Sequence, residues 1–79
     1  METSYTTEEK KFLLKVGERI RNLRLDYGLS QEKLSFECDL DRTYIGSVER
    51  GERNIAVLNL RKIANALKVT ISELINIEG

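Results

Sequence analysis

Leu29 to Gly51 read LSQEKLSFECDLDRTYIGSVERG, and the parsing of this stretch decides the fold. Ser30 is a helix N-cap candidate, because its hydroxyl can accept a hydrogen bond from an otherwise unpaired N–H of the first turn. Leu34, Glu37 and Cys38 follow at spacings of three and four, which predicts a short helix. Asp39-Leu40-Asp41 interrupts it. Asp41 is a second N-cap candidate, and its negative charge suits the positive end of a helix. Ile45 and Val48 then fall on one helical face. Gly51 stands where a helix end takes a left-handed residue.

Two short helices, a tight break between them and a glycine stop make the plan of a helix-turn-helix, whose second helix enters a DNA groove. Ile45 and Val48 must face inward, so Arg42, Thr43, Gly46 and Ser47 are expected towards the other side, with Tyr44 in the same N-terminal turn. Arginine can grip guanine O6 and N7 with two donors, and threonine offers a hydroxyl and a methyl suited to thymine. Gly46 and Ser47 are small enough to let the backbone approach a groove floor. Arg42 taken alone reads equally well as a charge on a solvated face. The frame around it favours DNA.

The composition bounds the rest. A chain of 79 residues can bury one modest core. With no proline, five glycines and no alternating pattern, it reads as a single all-α domain over residues 1–79. Thirteen basic and thirteen acidic residues give a net charge of zero, so the whole molecule is no generic polyanion binder. Charge is nevertheless polarised along the chain. Residues 42–62 carry Arg42, Arg50, Arg53, Arg61 and Lys62 against Glu49 and Glu52, a net of +3, which is the local clustering that a DNA footprint needs. One cysteine and no histidine exclude an intrachain disulfide and zinc-finger spacing, and no metal or cofactor is expected. Cys38 follows the helical pattern and reads as a small core residue. The carboxylates sit on helix faces and at caps, which argues against an enzyme. With no signal peptide, lipidation motif or apolar run of membrane length, a cytoplasmic protein with no membrane partner is expected.

Outside the central stretch, Thr6 and Glu9 form a capping-box pattern that opens a first helix over about residues 7–27. Leu13, Val16, Ile20 and Leu23 give its inward stripe, Gly28 its stop. Lys10, Lys11, Lys15, Arg19 and Arg21 read as its solvated face. Gln31 opens the second helix, where free N–H groups suit a phosphate oxygen. Phe36 fits no stripe, and the edge of the core is one place for it. In the loop after the second helix of the motif, Arg50, Arg53 and Asn54 are candidates for the DNA backbone or a groove edge. A fourth helix is predicted over about residues 57–68, with Leu60, Ile63, Ala64 and Leu67 inward. Its cap is either weak at Ala56 or supplied by Asn54. Thr70 and Glu73 form another capping box for a last helix. Ile71, Leu74, Ile75 and Ile77 are many apolar residues for so short a segment. Some should pack on the core; the rest predict a patch covered by a second copy, and the helices of residues 57–77 a dimer interface. The alternative is a C-terminus folded down as a lid.

Together these residues resemble the Cro/cI repressor type of helix-turn-helix domain, the XRE family. The resemblance rests on Leu29-Ser30-Gln31-Glu32-Lys33-Leu34, Leu40-Asp41-Arg42-Thr43-Tyr44-Ile45, Val48-Glu49-Arg50-Gly51, Arg53-Asn54-Ile55 and Leu60 to Leu67, and it spans residues 12–75. Within the family, Asp41 to Ile45 followed by Glu49 to Asn54 is most similar to the controller proteins of restriction–modification systems. The resemblance implies a five-helix, lambda-repressor-like fold. It also implies an Arg24–Glu49 ion pair tying the first helix to the third, a phosphate-positioning role for Gln31, and DNA reading by Arg53 beside the recognition helix. It implies a homodimer on a near-palindromic double-stranded operator that autoregulates a type II restriction–modification operon, and leaves room for RNA polymerase as a further partner. Half-sites would lie about one turn, roughly 34 Å, apart. Two alternatives stand beside it: a phage or chromosomal repressor or antitoxin of the same fold, and an interaction module that does not read DNA. Arg42, Thr43, Arg53 and the basic window argue against the second.

Overall fold

Four helices of this chain begin where a side chain bonds the free N–H groups of the first turn. The computed structural model describes residues 4–77 and forms α1 (Thr7–Asp26), α2 (Gln31–Cys38), α3 (Arg42–Glu49), α4 (Val57–Ala66) and α5 (Ile71–Leu74), with no strand among the described residues. Thr6 and Thr70 each close a full capping box, with Glu9 and Glu73 respectively. Ser30 accepts from the Lys33 N–H at 3.0 Å, and Asp41 from the Thr43 N–H at 2.9 Å. α4 alone starts without a side-chain cap, at Ala56, so Asn54 does not supply one.

The helix ends share a pattern. In α1, α3 and α4 two N–H groups past the end fold back onto carbonyls of the last turn: Leu29 to Arg24 and Gly28 to Leu25, Glu52 to Ser47 and Gly51 to Val48, Val69 to Ala64 and Lys68 to Asn65. This reversal needs a left-handed residue. Gly28 and Gly51 supply it in the first two, and Lys68 at φ 62° in the third. That conformation ends α4 at Ala66, two residues before the expected limit. Between α2 and α3 the same role falls to Asp39, at φ 58°, a residue type that tolerates this conformation better than most.

The core is built from one or two positions per turn of every helix: Val16 and Ile20, Leu34 and Cys38, Ile45 and Val48, Ile63, Ala64 and Leu67, and Leu74. Leu13, Leu23 and Leu60 of the expected stripes are only partly buried, and Glu37 is exposed although it shares the spacing of Leu34 and Cys38. Burial pushes the Cys38 thiol above its ordinary pKa, which disfavours the nucleophilic thiolate. Phe36 covers nothing in the core; it is 80% exposed.

α3 packs between α1 and α2, α2 also meets α4, and α5 packs on α1 and α4. Two glycines allow the close approach of α1 to α3. A Cβ on Gly17 would lie 2.6 Å from the Glu49 carbonyl oxygen, and one on Gly51 would lie 2.7 Å from Leu14 Cα at a φ of +76°. Both positions exclude a side chain.

The C-terminal segment divides between the core and the expected interface, and Leu74 falls out of the latter. Leu74 is 0% exposed and belongs to the core of its own chain. Ile71 and Ile77 pack against that core, partly buried. Only Ile75 remains exposed. α5 packs on α1 and α4, and a tether absent from the apolar pattern adds to this: the Arg19 guanidinium, placed on the solvated face of α1, donates to the Glu73 carbonyl oxygen through Nε at 3.1 Å and Nη2 at 3.0 Å. That carbonyl also accepts from the Asn76 N–H at 3.4 Å, so Arg19 adds a second donor to the last turn of α5, which lies on the core as a lid.

Candidate nucleic-acid interface

The outward strip of α3 is set by what holds its other sides. Ile45 and Val48 fix it to the core, and α1 and α2 flank it. Arg42 and Thr43, in the turn capped by Asp41, are exposed, and Tyr44 is half-buried beside them. Arg50, Arg53 and Asn54 extend the exposed strip beyond the C-terminal end of the helix.

Gly46 and Ser47 do not lie open as expected. With neighbours on two sides, the free face of α3 is narrower than its apolar spacing suggests. Gly46 is buried, and a Cβ there would meet Arg50 Nη1 at 3.2 Å and Gln31 Oε1 at 3.6 Å. Ser47 is 5% exposed. Its hydroxyl donates to the Tyr44 carbonyl at 2.8 Å and accepts from Arg53 Nε at 2.9 Å. Arg53 also lies over the Tyr44 ring, 5.4 Å from its centroid. Asn59, on α4, donates from Nδ2 to the Tyr44 hydroxyl at 3.2 Å.

Beneath the strip, Arg24 Nε and Nη2 donate to the two Glu49 carboxylate oxygens at 2.6 and 3.0 Å, and Arg24 Nη1 donates to the Leu29 carbonyl at 2.8 Å. Gln31 Nε2 donates to the same carboxylate at 3.0 Å. One carboxylate therefore joins α1, α2 and α3. The amide nitrogen expected to meet phosphate is directed inward at Glu49, which leaves the Gln31 carbonyl oxygen over Gly46. Among the described residues every buried side-chain nitrogen and oxygen has a partner.

Arg50 is exposed and pairs with Glu52, Nε to Oε2 at 3.0 Å and Nη2 to Oε1 at 3.2 Å. This pair holds the Glu52 carboxyl below its ordinary pKa. An anion arriving at Arg50 meets that carboxylate on the Nε–Nη2 edge, with Nη1 the nitrogen it leaves uncommitted. Arg42 has no such competitor among the described residues. Asn59, Glu52 and Arg19 had no signal in the sequence pattern: their partners are set by tertiary packing or by the path of a loop. Among the described residues no three His, Cys, Asp or Glu side chains gather as a metal site, and no helix is long and apolar enough to cross a membrane.

Comparison with known proteins places this geometry. A family model described as helix-turn-helix matches residues 20–74. The control protein C.BamHI of Bacillus amyloliquefaciens is 49% identical over 61 residues, covering 76% of this chain and 75% of that protein. The control protein C.MunI of a Mycoplasma species is 44% identical over 62 residues, covering 77% and 84%. The crystal structure of the restriction–modification controller protein C.AhdI of Aeromonas hydrophila superposes with a TM-score of 0.77 at 52% identity, over 78% of this chain and 94% of that one. The match spans the whole motif, and the capped five-helix frame agrees with it. The chain belongs to the helix-turn-helix family of the Cro/cI type, with restriction–modification control proteins among its relatives.

Proposed function

We propose that this protein is a sequence-specific transcription regulator that binds a near-palindromic DNA operator as a homodimer and autoregulates a restriction–modification operon. The carrying observation is the first turn of α3, where Arg42 and Thr43 stand exposed on a helix whose opposite face, Ile45 and Val48, is locked in the core. Such a helix can enter a major groove without rearranging. Arg42 has the donor geometry for a guanine edge and Thr43 the hydroxyl and methyl for thymine. Arg50 and Asn54 flank the helix end, where phosphate contacts set register. The protein acts by binding, with no chemistry of its own, and works where the DNA is, in the cytoplasm.

One α3 reads only a few base pairs, so two copies related by a two-fold axis are needed for a specific site. Val57, Leu58 and Ile75 are exposed apolar side chains that a second copy could cover. The operon assignment is supported by the relatives named as control proteins.

The test is a binding titration with DNA from immediately upstream of the protein's own gene, in the presence of excess random DNA, for the wild type and Arg42→Ala. A discrete, competitor-resistant complex is expected for the wild type. Arg42→Ala should weaken it by about five- to a hundredfold, the usual range for one bidentate base contact. Wild-type binding that random DNA abolishes would contradict autoregulation.

A further inference from the structure

Arg53 lies beyond the helix of the motif, yet it is the arginine of this face held on two sides. A serine hydroxyl has one proton. In Ser47 that proton goes to the Tyr44 carbonyl at 2.8 Å, so the oxygen lone pairs are left to accept, and Arg53 Nε donates to them at 2.9 Å. The guanidinium also lies over the Tyr44 ring, 5.4 Å from its centroid. That ring is in turn anchored from α4 by Asn59, whose amide donates to the phenol oxygen at 3.2 Å. Among the described residues Arg53 makes no protein hydrogen bond through its Nη groups, whereas Arg50 commits both Nε and Nη2 to Glu52.

We infer that Ser47 and Tyr44 are positioning residues. They hold Arg53 before DNA arrives, with its Nε spent and its two Nη groups presented as a fixed fork to the DNA edge beside α3. This rests on the DNA-binding reading above and deepens it. Nearly buried, Ser47 acts on DNA through Arg53 and not by contact, and Asn59 does so through the Tyr44 ring. A guanidinium fixed in advance loses less conformational freedom on binding, and its planar fork keeps the geometry that two-donor recognition needs.

Two measurements decide it, and the first uses no DNA. In the free protein, ¹⁵N relaxation of arginine side chains should find the Arg53 Nε–H more ordered than that of exposed Arg61. Ser47→Ala should move it towards the Arg61 level while the melting temperature stays close to the wild type. An Arg53 as mobile as Arg61 in the wild type, or unchanged by Ser47→Ala, overturns the inference.

The second is a double-mutant cycle on DNA from upstream of the protein's own gene. Ser47→Ala should weaken the wild-type complex by about two- to tenfold, as expected for one lost hydrogen bond, and should have no effect in an Arg53→Ala background. An equal effect in both backgrounds overturns it. Failure of the wild type to bind specific DNA is a different result, and it defeats the DNA-binding reading, while the relaxation measurement still judges how Arg53 is held.

Discussion

Glu49 is the residue on which the orientation of α3 depends. Its carboxylate accepts three hydrogen bonds, two from Arg24 and one from Gln31, and it is buried with Arg24, the two side chains 2% and 7% exposed. Removing one partner from a buried pair leaves the other charge stranded, at a cost of about 3–5 kcal/mol. Arg24→Met should therefore lower the melting temperature by more than about 10 °C for a domain of this size. The double variant Arg24→Met with Glu49→Leu should recover most of that loss, because no charge is then left unpaired. Calorimetry of the two variants separates this from an ordinary packing defect, in which the second substitution would add to the first. The pair was readable from family resemblance, but its third member was not. Its place at the start of a helix marks Gln31 for phosphate, and only the packing of α2 against α3 turns its amide to Glu49. The surroundings of Ser47 escape the pattern for a similar reason: helical spacing puts it opposite the core, while Arg53, six residues on, folds back onto its hydroxyl.

Among the elements, boundaries were legible wherever a side chain states them. Ser30, Asp41, Thr6 and Thr70 cap where their types and spacing indicate. The spacing of the four apolar residues of the last helix does not say which of them turn inward. Packing on α1 and α4 decides it, and Arg19 ties the segment to α1 through the Glu73 carbonyl. The same glutamate carries a pH dependence. Its carboxylate accepts from the Thr70 N–H at 2.8 Å and from the Thr70 hydroxyl at 3.2 Å, and these bonds lower its pKa from the ordinary 4.5. A carboxyl whose folded pKa is depressed contributes stability that is present above its unfolded value and lost as pH falls through the folded one. The cap of α5 should therefore survive mild acid and loosen only below about pH 4.5. The Thr70 amide shift in an NMR titration should have its midpoint below that value, and Glu73→Gln should abolish the transition. A midpoint at or above 4.5 would mean that the capping box is not formed in solution.

At the scale of the whole molecule, zero net charge conceals an ordered distribution. Arg42, Arg50 and Arg53 stand along and beyond one exposed helix strip, and Glu52 partly masks Arg50. Binding that depends on phosphates must weaken as salt rises, because condensed counterions are released on contact. The fold class and the motif were readable from the sequence because caps, stops and apolar spacing agree over residues 29–51. Which apolar side chains are left free for a second copy was not, because the burial of Leu74 comes from the packing of α5 on α1 and α4. The central claim is that this chain reads a two-fold symmetric DNA sequence through α3, and the most direct test starts from random DNA, so that no operator has to be assumed. Purified protein would be used to select from a pool of random DNA duplexes, alongside Arg42→Ala as control. The wild type should enrich one near-palindrome whose half-site centres lie about one helical turn, roughly 10 base pairs, apart, and Arg42→Ala should lose the preference at a defined position in each half. A pool that stays random, or an enriched sequence indifferent to Arg42→Ala, would contradict reading through α3.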